Sequence, residues 1–158
     1  MKEFKVRSIG TIRINKEGMF VELDENYLPA LKELEGFSHL NVIWWFHEFD
    51  SPDARSILET DSPYCKGPKN MGIFATRSPI RPNPVALSVG QILKIDYEKG
   101  RIQLAYIDAN DGTPVIDLKP YTPSLDRVEA PKVPQWCQHW PSSIEKSGEF
   151  DWENEFNF

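Results

Sequence analysis

The chain has 158 residues, 40% hydrophobic and 27% charged, which is enough to bury a core without disulfide staples and is ordinary for one globular domain. Its formal net charge of −6 excludes the broad basic field with which a protein engages many phosphates at once, so any nucleic-acid contact has to be local. The start, MKEFKVRS, lacks the apolar stretch of a signal peptide, and the longest apolar run, Val42 to Phe46, is too short for a bilayer, so a cytoplasmic protein with no membrane partner is expected.

Phe4 to Ile14 mixes β-branched and polar residues in rough alternation, and Met19 to Leu23 repeats the pattern after Asn15 to Gly18, which predicts a hairpin. Asp24 is placed to cap a short helix with apolar positions Tyr27, Leu28, Leu31 and Leu34, Pro29 in the tolerated first turn and Gly36 as the stop. His39 to Phe49, apolar without alternation at its centre, predicts a strand buried on both faces that delivers His47 and Glu48 at its end. Residues 50 to 70 form a long excursion with one helical turn near Ala54 to Leu58.

Gly72 to Thr76 reads as a short strand, and Pro79, Pro82 and Pro84 then forbid a helix or central strand and stiffen the loop. Val85 to Ile95 and Arg101 to Ile107 flank a turn at Asp96 to Gly100 and predict a second hairpin. After the polar turn Asp108 to Thr113, Pro114 to Lys119 supplies a last strand. Ser142 to Phe158 is acidic and aromatic, and either docks as an amphipathic arm or frays. Cys65 and Cys137 form no C-x-x-C pair, and Cys137-Gln138-His139 is too thin a ligand set, so neither a disulfide framework nor a metal is expected.

Three constellations could carry chemistry. In GIFATRSPIRPNPVALS, residues 72 to 88, Arg77 and Arg81 sit in a proline-braced loop that loses little entropy on binding an anion, and Asn83 adds a donor and an acceptor. Lys66 and Lys69 join these arginines in a stretch without Asp or Glu. In Asp108-Ala109-Asn110-Asp111-Gly112-Thr113-Pro114 an Asx turn explains the composition as well as a site does, while Asp108 and Asp111 suit ribose hydroxyls or a cationic group. His47 and Glu48 lie beside Trp44 and Trp45, and aromatics with a carboxylate suit a positively charged ligand.

The motifs GIFATRSPIRPNPVALS, LEGFSHL (residues 34 to 40) and DGTPVIDLKPY (residues 111 to 121) resemble those of the TsaA-like, or TrmO, family, in order from about Ile9 to Pro141. The resemblance implies a mainly β fold: a small closed or partly open β-barrel with one or two short helices, outside the Rossmann framework. The barrel domain would occupy residues 1–141, with 142–158 as an acidic-aromatic tail. It further implies a homodimer that binds S-adenosylmethionine and methylates the exocyclic nitrogen of threonylcarbamoyl-adenosine beside the anticodon of transfer RNA.

Carried over by motif, the cofactor contacts are His47, Glu48, Arg77, Leu87, Asp108, Ala109, Asn110 and Asp111. Arg77 would hold the cofactor's carboxylate, Leu87 would wall its adenine, and the carboxylates would face its sulfonium. Asp111 is the expected proton acceptor, and Arg81, Asn83, Lys119 and Tyr121 are the expected contacts to the acceptor substrate. Only Asn15 to Gly18 separates the first two strands, where many members carry a longer cofactor-contacting insertion. A methyltransferase of a small nucleoside or metabolite, and a non-catalytic module that senses or stores S-adenosylmethionine, are the rival readings.

Overall fold

The computed structural model describes residues 2–157. Its strands are β1 (Gly10–Asn15), β2 (Gly18–Leu23), β3 (His39–Trp45), β4 (Glu59–Asp61), β5 (Asn70–Gly72), β6 (Val85–Asp96), β7 (Arg101–Leu104) and β8 (Pro114–Pro120). Helices α1 (Pro52–Ser56), α2 (Pro123–Asp126) and α3 (Ile144–Ser147) are each one turn or little more. Contacts group the chain into two units: one runs up to Ser51 and resumes over Asn83–Arg127, the other comprises Pro52–Pro82 and the chain from Val128 onward.

The first unit is a closed antiparallel barrel in the order β1-β2-β7-β6-β3-β8, so the expectation of a mainly β, non-Rossmann barrel with short helices holds. Side chains alternate across each strand, and the inward set includes Ile12, Val21, Leu40, Val42, Trp44, Ile102, Leu104 and Val115. Glycine at 90 lets β6 and β7 approach: a Cβ there would lie 3.1 Å from the Leu104 side chain that fills the interior. Gly100 closes the β6–β7 turn at φ 62°, a conformation that L side chains rarely adopt.

Four local expectations are corrected. The first strand begins at Gly10 and, apart from half-buried Ile9, the described residues before it, 2–8, run exposed, with Phe4 78% accessible, because β2 ends at Leu23 and offers nothing opposite them. The expected helix after Asp24 is a 3₁₀ turn over Glu25–Leu31 in which Asp24 makes no side-chain cap, since Pro29 lacks the amide an α ladder needs. The second face of β3 is only partly covered: Leu40, Val42 and Trp44 enter the core, while on the outward face Asn41 is buried and Ile43 and Trp45 are half-buried. Finally, Ile73–Ala75 is a 3₁₀ turn and not a strand, because the Thr76 hydroxyl donates to the Ile73 carbonyl at 2.8 Å and pulls the backbone round.

The second unit contains the β4–β5 ribbon and a cluster of rings. Tyr64 stacks on Trp136 at 5.1 Å and meets Trp140 edge-on at 5.1 Å, and Trp152 stacks on Phe156 at 5.7 Å. The acidic-aromatic end of the chain therefore docks: Tyr64 and Phe156 form a β-bridge, and the Cys65 amide donates to the Glu155 carbonyl at 2.9 Å. Among the described residues no helix is long and apolar enough to cross a membrane. Truncating Ile102, fully buried in the barrel, to alanine is expected to cost about 2–5 kcal/mol, read as a lower urea midpoint with unchanged slope.

Candidate functional site

In the barrel unit the loop between β7 and β8 is held from two sides. The Asn110 side-chain amide donates to Glu48 Oε2 at 2.5 Å, which ties the loop to the 3₁₀ turn His47–Phe49 at the end of β3. On the other side the Ile14 amide donates to Asp111 Oδ1 at 2.8 Å, and the Gly112 amide donates to the Ile12 carbonyl at 2.9 Å. Gly112 takes φ 83° to make this turn, and Thr113 behind it is 2% accessible. Residues 48, 110 and 111, remote in sequence, are thus brought together, while Ala109 packs on the core.

Around this clamp the exposed groups are acidic or aromatic. Asp108 and Glu48 are exposed, and burial together with the Asp108 charge pushes the Tyr106 phenol above its usual range. His47 is exposed beside Glu48, and the Trp45 indole donates to Asp50 Oδ2 at 2.8 Å on the outer surface. Leu87 is 48% accessible on β6, in register with Ile43 of β3. Such a surface suits a cation with an apolar body.

The expected acceptor-side residues are not all alike. Lys119 pairs with Asp117 Oδ2 at 2.6 Å, so its charge is already countered by a neighbour that the sequence reading passed over. Tyr121 lies edge-on to His39 at 6.2 Å, and Asn83 accepts the Val85 amide at 2.7 Å through its backbone carbonyl, leaving its side chain exposed. Nearby, buried Asn41 donates to Asp126 Oδ1 at 3.1 Å, a link invisible to local sequence patterns because 85 positions separate the partners.

In the second unit Arg77 and Arg81 occupy the proline-braced loop. The Arg81 guanidinium donates to the Thr76 and Ser78 carbonyls, both at 3.4 Å, and so stiffens the loop that carries it. Arg77 is exposed on the same loop. In the same unit Glu155 is 5% accessible and accepts from His139 Nε2 at 2.8 Å and from the Trp140 indole at 2.9 Å. Burial alone would raise the Glu155 carboxyl, but these hydrogen bonds and the nearby positive charge outweigh it and leave it lowered. The sequence reading missed this network, for which an acidic residue among aromatics was the available signal. Among the described residues no three His, Cys, Asp or Glu side chains gather in a way that could hold a metal.

The antiparallel closed barrel lies outside the Rossmann framework, and the family that its residues match is one of S-adenosylmethionine-dependent methyltransferases. Residues 10–127 match the tRNA-methyltransferase O N-terminal domain, and the chain belongs to that family. It is 38% identical over 131 residues to a probable S-adenosyl-L-methionine-binding protein of Pyrococcus horikoshii, spanning 82% of this chain and 88% of that one. The tRNA (adenine(37)-N6)-methyltransferase of Escherichia coli is 38% identical over 105 residues, 65% of this chain and 44% of the relative. The crystal structure of TrmO from P. aeruginosa superposes with a TM-score of 0.66 at 28% identity, over 85% of this chain and 62% of that one. The chain thus spans most of the archaeal relative but less than half of the Escherichia coli enzyme.

Because the folded Glu155 carboxyl sits below its unfolded value of about 4.3, its stabilisation is complete above that pH and disappears as pH falls through the folded value. The urea midpoint of the wild type should therefore drop as pH falls below the unfolded carboxyl value of about 4.3. Glu155→Gln, which cannot titrate, should show a shallower drop; parallel curves would remove Glu155 from the acid response.

Proposed function

We propose that the protein is an S-adenosylmethionine-dependent N-methyltransferase acting on the exocyclic N6 of threonylcarbamoyl-adenosine next to the anticodon of transfer RNA, as a cytoplasmic homodimer. The observation that supports this reading most directly is that the family match over 10–127 covers the whole barrel and its clamped acidic loop. The E. coli relative's name specifies an N6 of adenine in transfer RNA, and the archaeal relative's name specifies the cofactor. On the same reading residues 1–141 form the family domain and 142–158 an added segment.

The donor groups present fit the cofactor. Asp108, Glu48 and Asp111 supply negative charge for a sulfonium, His47 and Asn110 supply polar contacts, Ala109 shapes the loop and Leu87 offers an apolar wall. Arg77 provides a guanidinium for a carboxylate. When bound, the cofactor contributes an electrophilic methyl group on sulfur. The protein's own task is alignment and removal of one proton from the acceptor nitrogen, and Asp111 is assigned as that acceptor, its carboxylate oriented by the Ile14 amide. Arg81, Asn83, Lys119 and Tyr121 are assigned to the acceptor substrate.

The net charge of −6 favours a second reading, methylation of a small nucleoside or metabolite. A non-catalytic S-adenosylmethionine-binding module is the remaining alternative, in keeping with the archaeal relative's name. Mass spectrometry of transfer RNA from a deletion strain separates these readings. Methylated threonylcarbamoyl-adenosine should vanish and return on complementation, and an unchanged level defeats the leading one.

For the site, Arg77→Ala should weaken S-adenosylmethionine binding by about 1–3 kcal/mol in calorimetry, the range for losing a hydrogen bond to a charged group. An unchanged dissociation constant would leave the arginine a purely structural role. Asp111→Asn keeps an acceptor for the Ile14 amide but loses basicity and one negative charge facing the sulfonium, so it should lower kcat and weaken cofactor binding while leaving the melting temperature near wild type.

A further inference from the structure

Strand β8 carries an irregularity that decides which way one carboxylate points. Its register with β3 pairs Ile43 with Asp117 and then Trp44 with Val115, so Ile116 is the extra residue of a β-bulge. Residues two apart on a regular strand share a face, and Val115 is fully buried in the barrel. Without the bulge Asp117 would follow Val115 into the core. With it, Leu118 packs on the core and the Asp117 side chain lies outside, 46% accessible.

Keeping a charge out of the core is one reason for such a bulge, yet plain alternation with a polar residue at another position would do the same without interrupting the ladder. What the bulge adds is place. Ile43 stands opposite Asp117 on one side and opposite Leu87 of β6 on the other, so Leu87, Ile43 and Asp117 form one row across three neighbouring strands. Opposed side chains start about 5 Å apart, which makes the row about 10 Å long. It consists of one apolar side chain 48% accessible and one half-buried, and it ends in a carboxylate.

That carboxylate is held in one orientation. The Leu118 amide donates to Oδ1 at 2.9 Å and Lys119 Nζ donates to Oδ2 at 2.6 Å, which leaves each oxygen a further lone pair. A flat apolar ring with an N–H donor on its far edge matches such a row, and adenine with its exocyclic amine is such a ring. Hypoxanthine, which carries a carbonyl in place of the amine, sets an acceptor against an acceptor.

We propose that Ile43 and Asp117 complete the adenine site that Leu87 begins, Ile43 as a second apolar wall and Asp117 as the acceptor that reads the exocyclic amine of the cofactor. This rests on the reading of the protein as an S-adenosylmethionine-binding one with Leu87 against the adenine, and it adds the group that selects the base. The same carboxylate holds Lys119, so the cofactor and the residue assigned to the acceptor substrate meet at one side chain.

The test measures, by calorimetry on the full-length protein, the dissociation constants of S-adenosylhomocysteine and S-inosylhomocysteine, which carry an amine and a carbonyl respectively on the six-membered ring of the purine. Wild type should bind the adenosyl compound about ten- to hundredfold more tightly. Asp117→Asn keeps an acceptor for the Leu118 amide and adds a donor, so it should bring the ratio to within about threefold while circular dichroism stays at the wild-type spectrum. Ile43→Ala should weaken both compounds by one factor, about three- to tenfold, and preserve the ratio.

An undiminished ratio in Asp117→Asn, a wild type that binds the two compounds alike, or affinities unmoved by Ile43→Ala would overturn the proposal. Wild-type protein that binds neither compound would instead overturn the cofactor reading on which the proposal rests. The two failures are therefore distinct.

Discussion

The barrel closes through a short seam. β1 and β8 pair directly at Gly10 with Val115 and Thr11 with Pro114, and Pro114 has no amide to extend the ladder. The seam is prolonged by the preceding loop: the Ile12 amide donates to the Thr113 carbonyl at 2.8 Å, the Gly112 amide donates to the Ile12 carbonyl, and the Ile14 amide donates to the Asp111 carboxylate. The acidic loop is thus part of the closure of the barrel, and its geometry is inherited from the sheet. A polar constellation held in this way needs little reorganisation to receive a ligand.

That double duty explains why the composition of residues 108–113 reads equally well as a turn and as a site. Asp111 is a turn residue whose carboxylate satisfies a strand amide, and Asn110 is one whose side chain reaches Glu48 across 62 positions. Local pattern exposes the first role, and only the closure of the barrel exposes the second. The β6–β7 hairpin, β8 and the β1–β2 turn were legible because alternation and turn chemistry are local properties. The outward placement of Ile43 and Trp45 was not, since an uninterrupted apolar run has the same composition whether one face or two are covered.

The second unit was the least legible part for the same reason. Tyr64, Trp136, Trp140, Trp152 and Phe156 are drawn from three stretches of chain, and no window of sequence contains enough of them to suggest a common core. Edge-on and stacked rings together supply what a short ribbon of two three-residue strands cannot. Glu155 at the centre is a buried acid that is tolerated because both oxygens are met, one by His139 and one by Trp140. These rings and their buried acid form one polar-aromatic cluster, where a change in one ring alters the support of its neighbours.

The charge distribution sharpens what a net charge of −6 means for an anionic ligand. On the barrel several cations are already paired: Arg101 pairs with Glu22 at 2.9 Å and lies over the Phe20 ring at 4.1 Å, Arg13 shares Glu22 at 3.4 Å, and Lys119 is countered by Asp117. Residues 62–81, in contrast, contain Lys66, Lys69, Arg77 and Arg81 and no acidic side chain. Exposed ion pairs are weak, so the barrel's pairs add little to stability, yet they cancel the field that would draw a polyanion to those faces. An overall acidic protein can in this way confine its attraction for anions to one short, stiff segment, where steering depends on the local arrangement of four cations and falls with added salt.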